Sequence, residues 1–438
     1  MARGSSGRGG GAEEALLAPA TAAKTWYGRC LSYRGDELGG FRSCLRWMCM
    51  DQSDRCHGLM SWSLFFVLSL AVPIVSHFVL SYNPHRRPYD LAVQLSLTAA
   101  SALSFLCLSA VTRRYGLHRF LFLDKLRDET EHVRLGYTAH LDRSFRLLSY
   151  FVLPLFAAEM AYKIWWYCAG AGRIPFLGNP VASDVVACVL ELASWIYRTA
   201  TFILLCVLFR LICQLQILRL QDFAAVFQEE SEVGLVLAEH LRIRRQLRVI
   251  SHRFRAFILS CLVLVTASQF AALLLTTRSH SDVNLFNTGE LALCSIVLVT
   301  GLFICLRSAA KITHKAQALT SHAAKWHVCA TIDSFDADPE TPGEVTLNPN
   351  CVFAVNGGED ESDEDVSAED ELEDMKILPP HAHTISFQKR QALVTYLENN
   401  KAGITIFGFT LDRAWLYTIF MLETTLFLWL LGKTTGIS

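Results

Sequence analysis

The chain has 438 residues, 52% hydrophobic and only 18% charged, where ordinary soluble domains carry about 25% charge. A formal net charge of -1 implies no nucleic-acid partner and no strongly acidic or basic one. The apolar residues fall in blocks of about 20, the length that crosses a bilayer, so an all-α integral membrane protein is expected, not a soluble domain.

Residues 1–58 are rich in Gly, Ser, Ala and Arg and hold no long apolar run. They read as a disordered cytosolic tail, not a signal peptide, which needs an apolar core near its start. Ala2 stands where N-myristoylation needs glycine. Cys44, Cys49 and Cys56 precede the first span and are either palmitoylation sites or ordinary free thiols.

Seven spans follow: Trp62–Tyr82, Leu91–Val111, Leu147–Tyr167, Val185–Cys206, Ala256–Thr276, Leu291–Leu306 and Ala414–Leu431. The sixth is short and is expected to begin a few residues earlier. Pro73 and Pro154 interrupt spans one and three, which membrane helices tolerate where neighbours satisfy the freed backbone groups. Many of the 14 cysteines, among them Cys107, Cys206 and Cys305, lie within apolar runs and behave there as small hydrophobes.

Basic residues give the orientation. The tail, the segments between spans two and three and between four and five hold eight Lys and Arg each, and the segment between six and seven holds nine. The opposite side has Arg86, Arg87, Arg173, Arg278 and Lys433 alone. The rule puts the N-terminus in the cytosol and the C-terminus outside it. That orientation is opposite to that of G-protein-coupled receptors, which excludes their class.

After Cys206 the apolar pattern keeps a helical period through Leu211, Leu215 and Leu218, then Leu237, Leu241, Leu247, Ile250 and Phe254. Helices four and five are therefore expected to run on into the cytosol and to turn near residues 229–231. Their apolar stripes would be covered by each other, by a helix near Phe387–Asn399, and by other subunits or, alternatively, within one antiparallel hairpin. The charge run "RIRRQLR" either touches anionic lipid or forms a solvated face.

Four regions result: the tail 1–58, helices one to six with their extensions at 59–330, an acidic disordered loop at 331–385, and a cytosolic helix with span seven at 386–438. The loop contains "GGEDESDEDVSAEDELEDMK", with eleven acids. Acids follow Ser362 and Ser367, which suits an acidophilic kinase or else a plain solvating loop. His381 and His383 lack further ligands at metal spacing, so neither metal nor other cofactor is implied.

Charges inside spans are costly and mark candidate sites. Glu159 and Lys163 are four residues apart on one face and can pair. Glu191 and Arg198 lie two turns apart, again on one face. Gln269 can hydrogen-bond to a neighbouring helix. Glu423 is alone near the centre of the last span, with Arg413 ten residues away, about 15 Å along the axis. Its face carries Leu416, Ile419, Phe420, Phe427 and Leu430. Several copies about an axis would make a ring of acids and a cation-selective pore. The alternative is a protonated or hydrogen-bonded glutamate packed on spans three or four.

The stretch "FGFTLDRAWLYTIFMLETTLFLWLLGKT" resembles the C-terminal signature of insect gustatory and odorant receptors. Gly408, Leu411, Asp412 and Arg413 match its first part and Thr425 its threonine. Leu426 stands for the tyrosine, and Gly432 and Lys433 for the final Gln-Phe. Seven spans and the inferred topology also resemble that superfamily, most closely the uncharacterised plant branch of gustatory-receptor-like proteins. The resemblance implies a homotetrameric ligand-gated cation channel or chemoreceptor in the plasma membrane or an endomembrane. Its last helices would line the pore, and a pocket among the first six spans would take a small organic ligand. The alternative from another class is a transporter or a non-conducting scaffold recruiting cytosolic partners. No G-x-S-x-G, phosphate loop or placed catalytic pair points to an enzyme.

Overall fold

Pro73 shapes the first span. The computed structural model describes residues 55–81, 89–120, 131–168, 180–226, 233–277, 285–336, 387–400 and 402–435. Helix α1 (Arg55–Phe65) starts inside the segment read as a tail, passes through a π-helical turn (Phe66–Ala71) and continues as α2 (Val72–Ser81). Pro73 has no N–H to give to the carbonyl of Ser69. That carbonyl accepts a hydrogen bond from the Thr98 hydroxyl at 3.2 Å, and the Leu68 carbonyl one from the Ser194 hydroxyl at 2.6 Å. Side chains of other helices thus serve backbone groups that lipid cannot.

The remaining long helices are α3 (Asp90–Phe120), α4 (Glu131–Cys168), α5 (Pro180–Val226), α6 (Val233–Thr277) and α7 (Leu285–Asp336). Then come the short α8 (Phe387–Asn399), strands β1 (Thr405–Ile406) and β2 (Phe409–Thr410), and α9 (Arg413–Thr435). Seven helices are long and apolar enough to cross a membrane, counting α1 with α2 as one and leaving out α8. The protein is a multi-pass integral membrane bundle of seven spans. Cys44, Cys49, Ser362, Ser367, His381 and His383 lie outside the described residues.

The fourth span, α5, is the axis of the bundle. From Thr201 to Leu220 every residue but the half-buried Arg210 is buried inside the chain, while Val185, Val186, Val189 and Leu190 nearer its start are exposed. It packs against α3, α4 and α7 and the π-helical turn. Its approach to α7 is so close that a Cβ on Gly301 would enter the ring of Phe202.

The three longest helices outrun any bilayer by the widest margin. α5, α6 and α7 have 47, 45 and 52 residues, and at about 1.5 Å per residue each exceeds a 30 Å hydrocarbon core by more than 35 Å. The sequence pattern indicates such extensions for α5 and α6 alone; the third, on α7, is a finding of the structure. Its buried residues Ala309, Ile312, Ala316, Leu319, Ala323 and Trp326 recur every three or four positions. On α6 the covered stripe is Val236, His240, Ile243, Leu247, Ile250 and Phe254, while Leu241 is 46% exposed and lies off it.

Helix α8 closes the extensions with Leu393, Val394 and Leu397. Arg244 donates to Asn400 at 2.8 Å, and the His240 and Tyr396 rings meet edge to face at 5.7 Å. The β1–β2 hairpin then leads into α9, with Thr405 opposite Thr410 and Ile406 opposite Phe409. Its turn places Phe407 at φ 48° and Gly408 at φ 95°, the left-handed pair that matches the strand twist in a two-residue hairpin. The Thr405 amide donates to Ser251 of α6 at 3.0 Å, and the Ile404 amide to Thr313 of α7 at 3.3 Å. One short hairpin is therefore bonded to two long helices.

Candidate functional site

The densest set of intramembrane charges lies at the bundle end opposite the helix extensions. There Lys163 of α4 is 2% exposed and its ammonium is 3.7 Å from Glu159, one turn back. It is 2.9 Å from Glu191 of α5 and pairs also with Glu290 of α7. Glu191 further accepts hydrogen bonds from Tyr167 at 3.2 Å and from Ser76 of α2. Three carboxylates from three helices thus surround one ammonium.

Arg198 is also buried, at 2% exposure, but it does not pair with Glu191 seven residues earlier. Its guanidinium donates to the Ser194 carbonyl at 3.3 Å, the Gln94 carbonyl at 3.4 Å and the Thr98 hydroxyl at 3.2 Å. Gln94 in turn donates to Asp90 at 3.1 Å, and Asp90 lies 3.5 Å from His77. The sequence groups Glu191 with Arg198 because they share a helix face. The structure separates them because neighbouring helices offer each a nearer partner. A cavity of about 10 Å³, room for one water-sized species, is lined by Glu159, Lys163, Glu191, Glu290 and Arg198 among others.

Glu290 is the member that sequence reading missed. A span drawn from Leu291 leaves it just outside, whereas α7 begins at Leu285 and carries it in at 5% exposure. The remaining apolar stretch of the sixth helix gave the signal, being too short to cross without earlier residues.

The second intramembrane site is Glu423, 1% exposed. One of its oxygens accepts a hydrogen bond from Thr266 of α6 at 2.6 Å, and the other has no hydrogen-bond partner among the described residues. Its neighbour is span five, not spans three or four. The face that bears it turns inward: Leu430 is buried, Leu416, Ile419 and Phe427 are half-buried, and Phe420 meets Phe303 of α7 at 4.7 Å. The residues considered for a pore axis thus pack within their own chain. The opposite face, with Trp415, Tyr417, Thr418, Met421, Leu422, Thr425 and Leu428, is exposed. Gln269 is buried on α6, and its amide finds no hydrogen-bond partner among the described residues.

The motif residues have local roles. Gly408 supplies the positive φ of the hairpin turn. Leu411 donates its amide to the Ile404 carbonyl at 3.0 Å and so closes the hairpin. Asp412 caps α9, accepting from the Trp415 amide at 3.2 Å, the standard use of Asp before a helix. Arg413 is the first residue of α9. The Thr425 hydroxyl donates to the Met421 carbonyl at 2.7 Å, which satisfies it without a neighbour.

The family model described as "Protein of unknown function (DUF3537)" matches residues 36–422, most of the chain. The chain belongs to that family. The DUF3537 match takes in the whole charged cluster and stops one residue before Glu423. In structure the chain is similar to the insect olfactory receptor OR5 from Machilis hrabei, at 10% identity and a TM-score of 0.46, over 90% of this chain and 99% of that one. No curated protein matches the sequence.

Proposed function

We propose that this protein is a ligand-responsive membrane receptor that passes cations, assembled from four copies, with its N-terminus cytosolic and its C-terminus outside. The reading is carried by the cluster around Lys163. A structural ion pair needs two groups, and burying charge is often less favourable than apolar packing of the same volume. Here three carboxylates from three helices gather on one ammonium. Such an arrangement suits recognition of a small polar ligand that displaces or completes the network.

The exposed face of α9 supports the pore. One face of this span, with Trp415, Tyr417, Met421, Leu422 and Leu428, is exposed and available to lipid or to other copies. In an assembly with α9 at the axis, the lining would be the side that bears Thr418 and Thr425, and Glu423 would hold α9 to α6 from behind. The orientation rests on the distribution of Lys and Arg.

The cluster also favours a second reading. Carboxylates gathered with a cation inside the membrane mark ion pathways and proton relays, as an ion-coupled transporter requires. Imaging of the purified full chain, with current recording in planar bilayers, separates the two. Four subunits about α9, with a cation current per reconstituted protein that Lys163→Met abolishes, is the expected result. Single copies that drive ion-coupled uptake without current would replace the receptor by the transporter. An epitope at the C-terminus that stains intact cells tests the orientation.

A further inference from the structure

The outer side of α6 changes chemistry along its length. Leu259, Val263, Phe270 and Leu274 are exposed and apolar on one face, as lipid contact requires. Towards the N-terminus the same face continues as Arg255, His252, Arg248 and Arg245, spaced three or four residues apart. Arg245, Arg248 and His252 are exposed, and Arg255 stacks over the Phe407 ring at 5.0 Å. Arg242, one turn further, reaches Glu239 at 3.3 Å.

Position decides what can cover this stripe. Measured from Leu259 at about 1.5 Å per residue, Arg255 is about 6 Å out, Arg248 about 16 Å and Arg245 about 21 Å. The headgroup layer of one leaflet is only about 5–7 Å thick. Arg255 lies at headgroup level, but Arg248 stands outside it and Arg245 beyond it by more than a Debye length of about 8 Å. A flat bilayer cannot neutralise them; an acidic peptide can.

The chain carries one. Residues 359–374 hold eleven acids and no base. They are tethered by 22 residues to the end of α7 at Asp336 and by 12 residues to the start of α8 at Phe387; the other end of α8, about 20 Å along its axis, is bonded to α6 through Arg244 and Asn400. Twelve residues reach at most about 40 Å, and a flexible chain of that length spans about 20 Å on average. Such a tether gives the tract an effective concentration near millimolar at the stripe.

We infer that the basic stripe Arg245–Arg248–His252–Arg255 on α6 is a docking surface for the acidic tract 359–374 of the same chain. Phosphate on Ser362 or Ser367 would add charge of the same sign and strengthen the contact.

The test replaces Val366 by the photo-crosslinking residue benzoylphenylalanine in the full chain, held in nanodiscs of neutral lipid. Irradiation is expected to join residue 366 to the α6 peptide bearing Arg245 and Arg248. The yield should fall about tenfold in Arg245→Glu with Arg248→Glu. It should fall again when salt is raised from about 0.1 M to about 1 M, which shortens the Debye length from about 10 Å to about 3 Å. Adding Glu364→Lys and Asp365→Lys to the reversed stripe should restore it, which a misfolded variant cannot do. A yield indifferent to charge reversal, a crosslink found only between differently tagged copies, or loss of the crosslink when anionic lipid is included would each overturn the inference.

Discussion

Thr266 of α6 donates a 2.6 Å hydrogen bond to Glu423 of α9, joining the fifth and seventh spans through a buried carboxyl group. Removing the donor leaves that group without a partner in a low-dielectric setting. Thr266→Val, which keeps the volume, should therefore destabilise the protein by about 1–3 kcal/mol. Glu423→Gln, which keeps an acceptor for Thr266, should cost less. Thermal unfolding of the two variants in nanodiscs checks the order, and a larger loss for Glu423→Gln would contradict the assigned contact.

Lys163 pairs with Glu159, Glu191 and Glu290 at once. Lys163→Met should cost about 3–5 kcal/mol, the usual effect of stripping one partner from a buried pair. Adding Glu290→Gln should recover part of the loss. A double-mutant cycle on melting of the purified protein measures the coupling; additive effects would show that the two groups do not interact.

Gly301 meets Phe202 where α5 and α7 are closest. Gly301→Ala is expected to cost about 1–3 kcal/mol by overpacking. Phe202→Leu in the same chain should relieve it. Yield of monodisperse protein and its melting temperature report both changes, and a neutral Gly301→Ala would mean the helices stand further apart.

Gly408 holds φ at 95°, where a side chain is strained. Gly408→Val should disturb the hairpin by about 1–2 kcal/mol and leave the Ser251 and Thr313 contacts weakened. Faster hydrogen exchange at residues 404–411, with exchange in the centre of α5 unchanged, is the expected pattern.

On α6, Leu241 is exposed while Leu247 is 1% exposed. Leu241→Lys should be tolerated within about 0.5 kcal/mol, and Leu247→Lys should prevent folding or cost several kcal/mol. Equal effects of the two on expression and melting would contradict the assigned face.

The seven spans were legible because each is an apolar block of bilayer length, and that signal needs no knowledge of neighbours. The extension of α7 was harder to see. Its covered face uses Ala309, Ala316 and Ala323, whose small side chains hardly raise hydropathy although their three-and-four spacing is regular. The charged cluster was half legible. Glu159 and Lys163 could be joined by spacing alone, but Glu191 and Glu290 reach Lys163 only through the rotation of three helices about one another. The same limit explains Glu423: one helix shows which residues share a face, not which neighbour that face meets. The hairpin at 405–410 was hidden because Phe-Gly is an unusual pair for its turn, where Asn-Gly is common.

The central place of α5 divides the spans by what they can sense. Its run from Thr201 to Leu220 is enclosed by protein and insulated from the hydrocarbon, whereas Val185, Val186 and Val189 nearer its start are exposed. The last span, exposed along one face, adjusts its tilt when the bilayer thins or thickens. Because the hairpin clamps the near end of that span to α6 and α7, such a tilt would pivot at Phe407–Gly408 and swing the far end. Lipid composition would thereby act on this protein as a lever.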